Sequence, residues 1–172
     1  MNRLIKVLLL TAISPVYLFS QYAWTDVNYH FQTGTVPPPY YYSYEIFINS
    51  GGSCSISYRP SYSTDSTWVY KFDLITDQLN TLDGAITASG VLTDSITSLP
   101  ENKHPIGGSL KNAVITLYQD PVLDRLPPVI RTPYFPAADY KEKLENLYES
   151  IVSLVPQNIW DEIKERKEKG KN

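Results

Sequence analysis

From Tyr40 onward, apolar and polar side chains alternate strictly. Tyr40, Tyr42, Tyr44, Ile46 and Ile48 fall on one side, and Tyr41, Ser43, Glu45, Phe47 and Asn49 on the other. A period of two is that of a strand with one buried face. Asn49, Ser50, Gly51 and Gly52 follow, residues that tolerate the positive φ of a tight turn, so the chain is expected to fold back as a hairpin. The returning segment sets Cys54, Ile56 and Tyr58 against Ser53, Ser55, Ser57 and Arg59. After a loop opening at Pro60, Trp68, Tyr70, Phe72 and Leu74 form a third apolar row, with Thr67, Lys71 and Asp73 among the residues opposite. Three such segments make an antiparallel meander whose apolar face needs a cover.

The period then lengthens. Thr76 suits an N-cap, Asp77 favours the positive end of a helix dipole, Leu79, Leu82 and Ile86 recur at helical spacing, and Gly90 offers a stop. Gly84 weakens the middle of this helix, which is predicted over 76–89. Residues 93–106 are rich in turn formers. A further strand is expected within Leu110 to Gln119, where the β-branched residues Val114, Ile115 and Thr116 concentrate. Asp120 and Pro121 break it, while Pro127, Pro128 and Pro133 limit residues 123–135 to an edge strand or an extended loop. From Pro136 the composition turns charged. Tyr140, Leu144, Leu147, Tyr148, Ile151 and Leu154 trace one stripe of an amphipathic helix near 137–155, which Pro156 ends or redirects. Ile159, Trp160 and Ile163 seat a short last helix, with a solvated, frayed end from Lys164 to Asn172.

These elements predict an α+β fold in two layers: an antiparallel meander sheet of four to five strands, packed on one face by two main helices, with a short C-terminal helix. Trp68, Tyr70, Phe72, Leu79, Leu82, Val114, Leu144, Leu147 and Ile151 are expected in the core.

Ahead of this domain, taken as 40–172, two further segments differ in kind. Residues 1–20 combine a basic start at Arg3 and Lys6, an apolar run from Val7 to Phe19 and a small residue at Ser20, the organisation of a cleavable secretory signal peptide. Cleavage after Ser20 would leave Gln21 as the mature N-terminus, with Ala23 as the alternative site. Interrupted by Ser14 and Pro15, the run is too short for a spanning helix, so no stable membrane anchor is expected after cleavage. Residues 21–39 show no sustained period and end in Pro37, Pro38 and Pro39, which reads as an irregular, Pro-rich lead-in. Export places the protein in the periplasm or the medium.

Charge and candidate chemistry narrow the functions. Without Arg3 and Lys6, 13 basic side chains face 18 acidic ones, a formal charge of −5, which argues against nucleic acid as a partner. A single cysteine, Cys54, permits no internal disulfide. His30 and His104 have no ligand-spaced neighbours, so neither a metal nor a cofactor is expected. Cys54 shares the face of Ile56 and Tyr58, favouring a buried small side chain over a nucleophile. Gly107, Gly108 and Ser109 lack a following helix and read as a turn into a strand rather than a phosphate cradle. The chain therefore reads as an exported, non-enzymatic binding or interaction module for a protein or glycan. The alternative is a small exported hydrolase using Cys54 or carboxylates such as Asp73, Asp77, Asp94 and Glu101 in a cleft.

Aromatic enrichment is the feature that points to a surface. Of 14 tyrosines, Tyr40, Tyr41, Tyr42 and Tyr44 fall within five residues. Tyrosine offers a flat apolar body with a polar tip, suited to wet interfaces. Tyr41 and Phe47 point away from the expected core, with Val69 as a further member of that face, and Tyr62 and His104 lie in the turn-rich loops. Tyr41, Phe47, Tyr62 and His104 are thus the candidate binding residues.

The tyrosine-rich strand with its Gly-containing turn, the Pro105-Ile106-Gly107-Gly108-Ser109 element and Leu154-Val155-Pro156 followed by Trp160 resemble segments of small, functionally uncharacterised bacterial α+β proteins, over about residues 40–168. That resemblance implies a strand after the Gly-Gly-Ser element paired to a short return strand before the long helix. The return segment here is longer and proline-rich. It carries over no catalytic residue and no ligand.

Overall fold

Among the described residues the protein folds as α+β around one antiparallel sheet of six strands with three α-helices. The computed structural model describes residues 22–37, 40–61, 66–120 and 125–169, and the expected signal peptide lies outside them. The strands are β1 (Trp24–Gln32), β2 (Ser43–Asn49), β3 (Ser53–Arg59), β4 (Trp68–Asp73), β5 (Leu110–Leu117) and β6 (Val129–Arg131). The helices are α1 (Thr76–Ser89), α2 (Ala138–Ser153) and α3 (Gln157–Lys169). In the sheet the order is β4-β3-β2-β1-β5-β6, every neighbouring pair antiparallel.

The largest departure from expectation is β1. The segment expected as irregular lead-in holds the nine-residue strand at the middle of the sheet, paired to β2 on one side and β5 on the other. Its apolar residues escape a period of two because the register against β5 shifts between Trp24 and Asp26. That irregularity inserts one residue, so Trp24 and Val27 both turn inward across a spacing of three, and regular alternation resumes only with Tyr29. Trp24 is held from α1, its Nε1 donating to Asp83 Oδ1 at 3.0 Å. Beside it the Tyr22 hydroxyl donates to Asn80 Oδ1 at 2.8 Å.

Elsewhere the pattern translates directly. The β2–β3 hairpin closes at Asn49–Gly52, with Gly52 at φ 94°, where a side chain would also meet the Leu74 carbonyl oxygen. Helix α1 spans the expected residues but is capped one residue earlier than expected: Ile75 rather than Thr76 occupies the cap position, and its N–H donates to Gln78 Oε1 at 3.1 Å. Gly90 ends it in the left-handed region. Strand β6 is the short edge strand that the prolines allowed, and it pairs with β5 despite the proline-rich return segment.

The inward row of the sheet, including Val27, Tyr29, Ile46, Ile48, Ile56, Tyr58 and Ile115, shares one apolar cluster with the buried residues of all three helices. Leu82 and Ile86 come from α1, Leu144, Leu147 and Ile151 from α2, and Ile159 and Ile163 from α3. Three core assignments shift. Ala113 and Ile115 are buried in place of Val114, which falls on the other face in register with Asn28 and Arg131. Trp68 and Tyr70 are only partly buried, because β4 is an edge strand and its side chains have strand neighbours on one side alone.

Candidate functional site

Phe31, Tyr44, Tyr58 and Trp68 are consecutive register partners on β1, β2, β3 and β4, so one aromatic side chain from each of four strands stands in a single row across the sheet. Successive ring centroids lie 4.9, 6.4 and 5.6 Å apart with interplanar angles of 14°, 9° and 23°. The offset between neighbouring strands stacks the rings in the arrangement their quadrupoles prefer. Tyr42, just ahead of β2, adds a further ring, 5.5 Å from Phe31 and 5.7 Å from Tyr58.

Helix α3 lies over this row. Pro156 ends the α2 segment and redirects the chain, and α3 brings Trp160 edge-on to Tyr44, with centroids 5.3 Å apart at 76°. Its last turn reaches further along. The Arg166 guanidinium sits 4.5 Å from the Trp68 ring, and Lys167 Nζ lies 4.6 Å from Tyr42 and 5.6 Å from Tyr58. The end of α3, expected to fray, is helical to Lys169 and held by cation–π contacts.

Between helix and row is an open groove of about 480 Å³, lined by Tyr42, Tyr44, Tyr58, Val152, Trp160, Ile163, Lys164, Lys167 and Glu168. Its walls are largely aromatic and apolar, with the tyrosine hydroxyls, the Lys164 and Lys167 heads and the Glu168 carboxylate as the polar points. Burial pushes the Tyr44 hydroxyl up to about 12, and it raises Tyr58 further. Both phenols therefore stay protonated near neutrality, with an O–H to donate.

The residues singled out in the sequence are not brought together here. Tyr41 is 8% exposed and Tyr40 is 71% exposed, the reverse of the expected facing, because the strand starts only at Ser43 and the chain before it turns, with Tyr40 N–H donating to Pro37 O. Tyr41 lines a small cleft with Gln32, Gly34, Thr35, Gly108 and Phe135. His104 is half-buried; its Nε2 lies 2.9 Å from Leu99 O and its ring 4.5 Å from Phe135, so it braces the loop rather than presenting a free imidazole. The Gly107–Ser109 turn runs directly into β5, as expected, with both glycines at positive φ. Phe47, at 39% exposure, and Val69, at 57%, do lie on the face away from the helices, since α3 covers the inward face. Tyr62 lies outside the described residues.

Of the hydrolase candidates, Cys54 and Asp73 line one cleft together with Phe47 and Lys71. Cys54 is buried near the Asn49–Gly52 turn, its Sγ 3.3 Å from Gly52 O, whereas His104 packs on Phe135 at the far end of the strands, beside the Gly34 region. A second cleft of about 270 Å³ contains the Lys111–Glu145 ion pair above Tyr148, whose hydroxyl lies 2.7 Å from Thr132 Oγ1. Among the described residues, no three His, Cys, Asp or Glu side chains converge as metal ligands, and no helix is long and apolar enough to cross a membrane.

The groove was partly legible. Tyr42, Tyr44, Tyr58 and Trp68 share the predicted inward face, and Trp160 and Ile163 the predicted apolar side of α3. Phe31 was missed with β1, and nothing in the spacing placed Lys167 over the rings. Compared with known proteins, the chain matches no family and no curated protein.

Proposed function

We propose that the protein is an exported, non-enzymatic binding module and that the groove beneath α3 is its ligand site. The observation that carries this is a groove lined at one place by Tyr44 and Tyr58 of the aromatic row, by Tyr42 and Trp160, and by the lysine heads of α3. Pockets for small ligands are mostly apolar and aromatic with a few placed polar groups, which this lining matches in kind. The reading takes the molecule as two layers, with α3 closing one end of the helical layer over the sheet. Export rests on the organisation of residues 1–20.

Heteronuclear NMR on the isotope-labelled protein, titrated with naphthalene-based probes, tests the location. The expected result is that the Trp160 indole, the Ile163 methyl groups and the Tyr58 amide move together. Shifts confined to Phe47, Val69 and their strand neighbours would move the site to the open sheet face and refute the groove.

A further inference from the structure

Resting on the reading that this groove holds a ligand, we infer that the ligand is an amphipathic organic anion, a flat apolar body bearing one negatively charged head seated between Lys164 and Lys167. The groove is lined from α3 by Trp160, Ile163, Lys164, Lys167 and Glu168, a spacing of i, i+3, i+4, i+7 and i+8 that defines one helix face. The other carboxylates of α3, Asp161, Glu162 and Glu165, lie on exposed faces outside the lining. Glu165 is engaged by Lys169 at 2.7 Å, one turn on. The groove thus sees two ammonium groups to one carboxylate, in a chain whose formal charge is −3.

The two lysines differ in how they are held. Lys167 is placed over the faces of Tyr42 and Tyr58, whose quadrupoles fix its ammonium at the edge of the groove. Lys164 has no ion-pair partner among the described residues. An anionic head against them gains attraction that the apolar wall screens less than open water does, and the buried phenols supply hydrogen-bond donors. A cationic head meets repulsion from both. Tyr42, Tyr44, Tyr58 and Trp160 supply the apolar contact for a flat body.

The experiment compares three probes with one body at neutral pH, read by the Trp160 signals in the intact protein: naphthalene-2-carboxylate, naphthalene-2-carboxamide and 2-naphthylmethylammonium. The carboxylate is expected to bind about fivefold to tenfold tighter than the amide, with the ammonium weakest, a difference on the scale of one favourable charge contact. Lys164→Gln with Lys167→Gln should bring the carboxylate down to the level of the amide, and Glu168→Gln should strengthen it. High salt should weaken the carboxylate and leave the amide unchanged, a readout that needs no variant to fold. Equal binding of carboxylate and amide at Trp160 overturns the anion preference while leaving the groove as a site. Absence of any response at Trp160 overturns the groove and the anion preference together.

Discussion

The Cys54 thiol sits on the inward row of β3 beside the Gly52 carbonyl, and burial pushes its pKa up to about 11. A thiol so placed is almost wholly protonated at neutral pH and shielded from solvent. Ellman's reagent at pH 8 should therefore react with the native protein far more slowly than with the denatured chain, and rapid native labelling would show that Cys54 is accessible. Gly34 makes the opposite point about size. A Cβ there would stand 1.9 Å from the Gly108 carbonyl oxygen, a backbone atom that cannot swing aside. Gly34→Ala is expected to cost about 1–3 kcal/mol in denaturant unfolding as an overpacked site. A neutral effect would mean that the Gly107–Ser109 turn is free to move away from β1.

At the scale of elements, legibility followed how far each one's environment is uniform along its length. Helix α2 has one buried face from end to end, so a single stripe from Tyr140 to Leu154 announced it, and Leu144, Leu147 and Ile151 are buried as expected. Leu147→Ala should cost about 2–5 kcal/mol, measured by chemical denaturation, and a change near zero would displace it from the core. Strand β1 has the same inward face, but its irregularity beside Trp24 puts two inward residues three apart, and a period of two dissolves. Tyr41 failed for a related reason: alternation in the sequence began at Tyr40, whereas the ladder begins at Ser43. The aromatic row shows the limit in another direction. Register between strands joins Phe31, Tyr44, Tyr58 and Trp68, and no pattern within a single segment encodes register with its neighbours.

For the whole molecule, the buried phenols set the alkaline limit of stability. Burial raises Tyr44 and Tyr148 to about 12 and raises Tyr29 and Tyr58 beyond that, while the same groups ionise near 10 when unfolded. The folded state holds these protons more tightly, so the stability they contribute is complete below pH of about 10 and is lost as pH rises through about 12. Denaturation midpoints should fall steeply over that interval. Tyrosinate absorbance at pH of about 11 should show fewer ionised groups in the native protein than after denaturation. Full native ionisation there would contradict the buried row.

The position of β1 bears on how the chain can be shortened. A fragment beginning at Tyr40, where the sequence first alternates, would lack the strand that joins the β2–β3–β4 hairpins to the β5–β6 pair. The two remaining pieces of sheet would each present a raw edge of unpaired amides to the other, with no strand to bridge them. Such a fragment is expected to aggregate or to bind a synthetic peptide spanning 22–33 in the place of the missing strand.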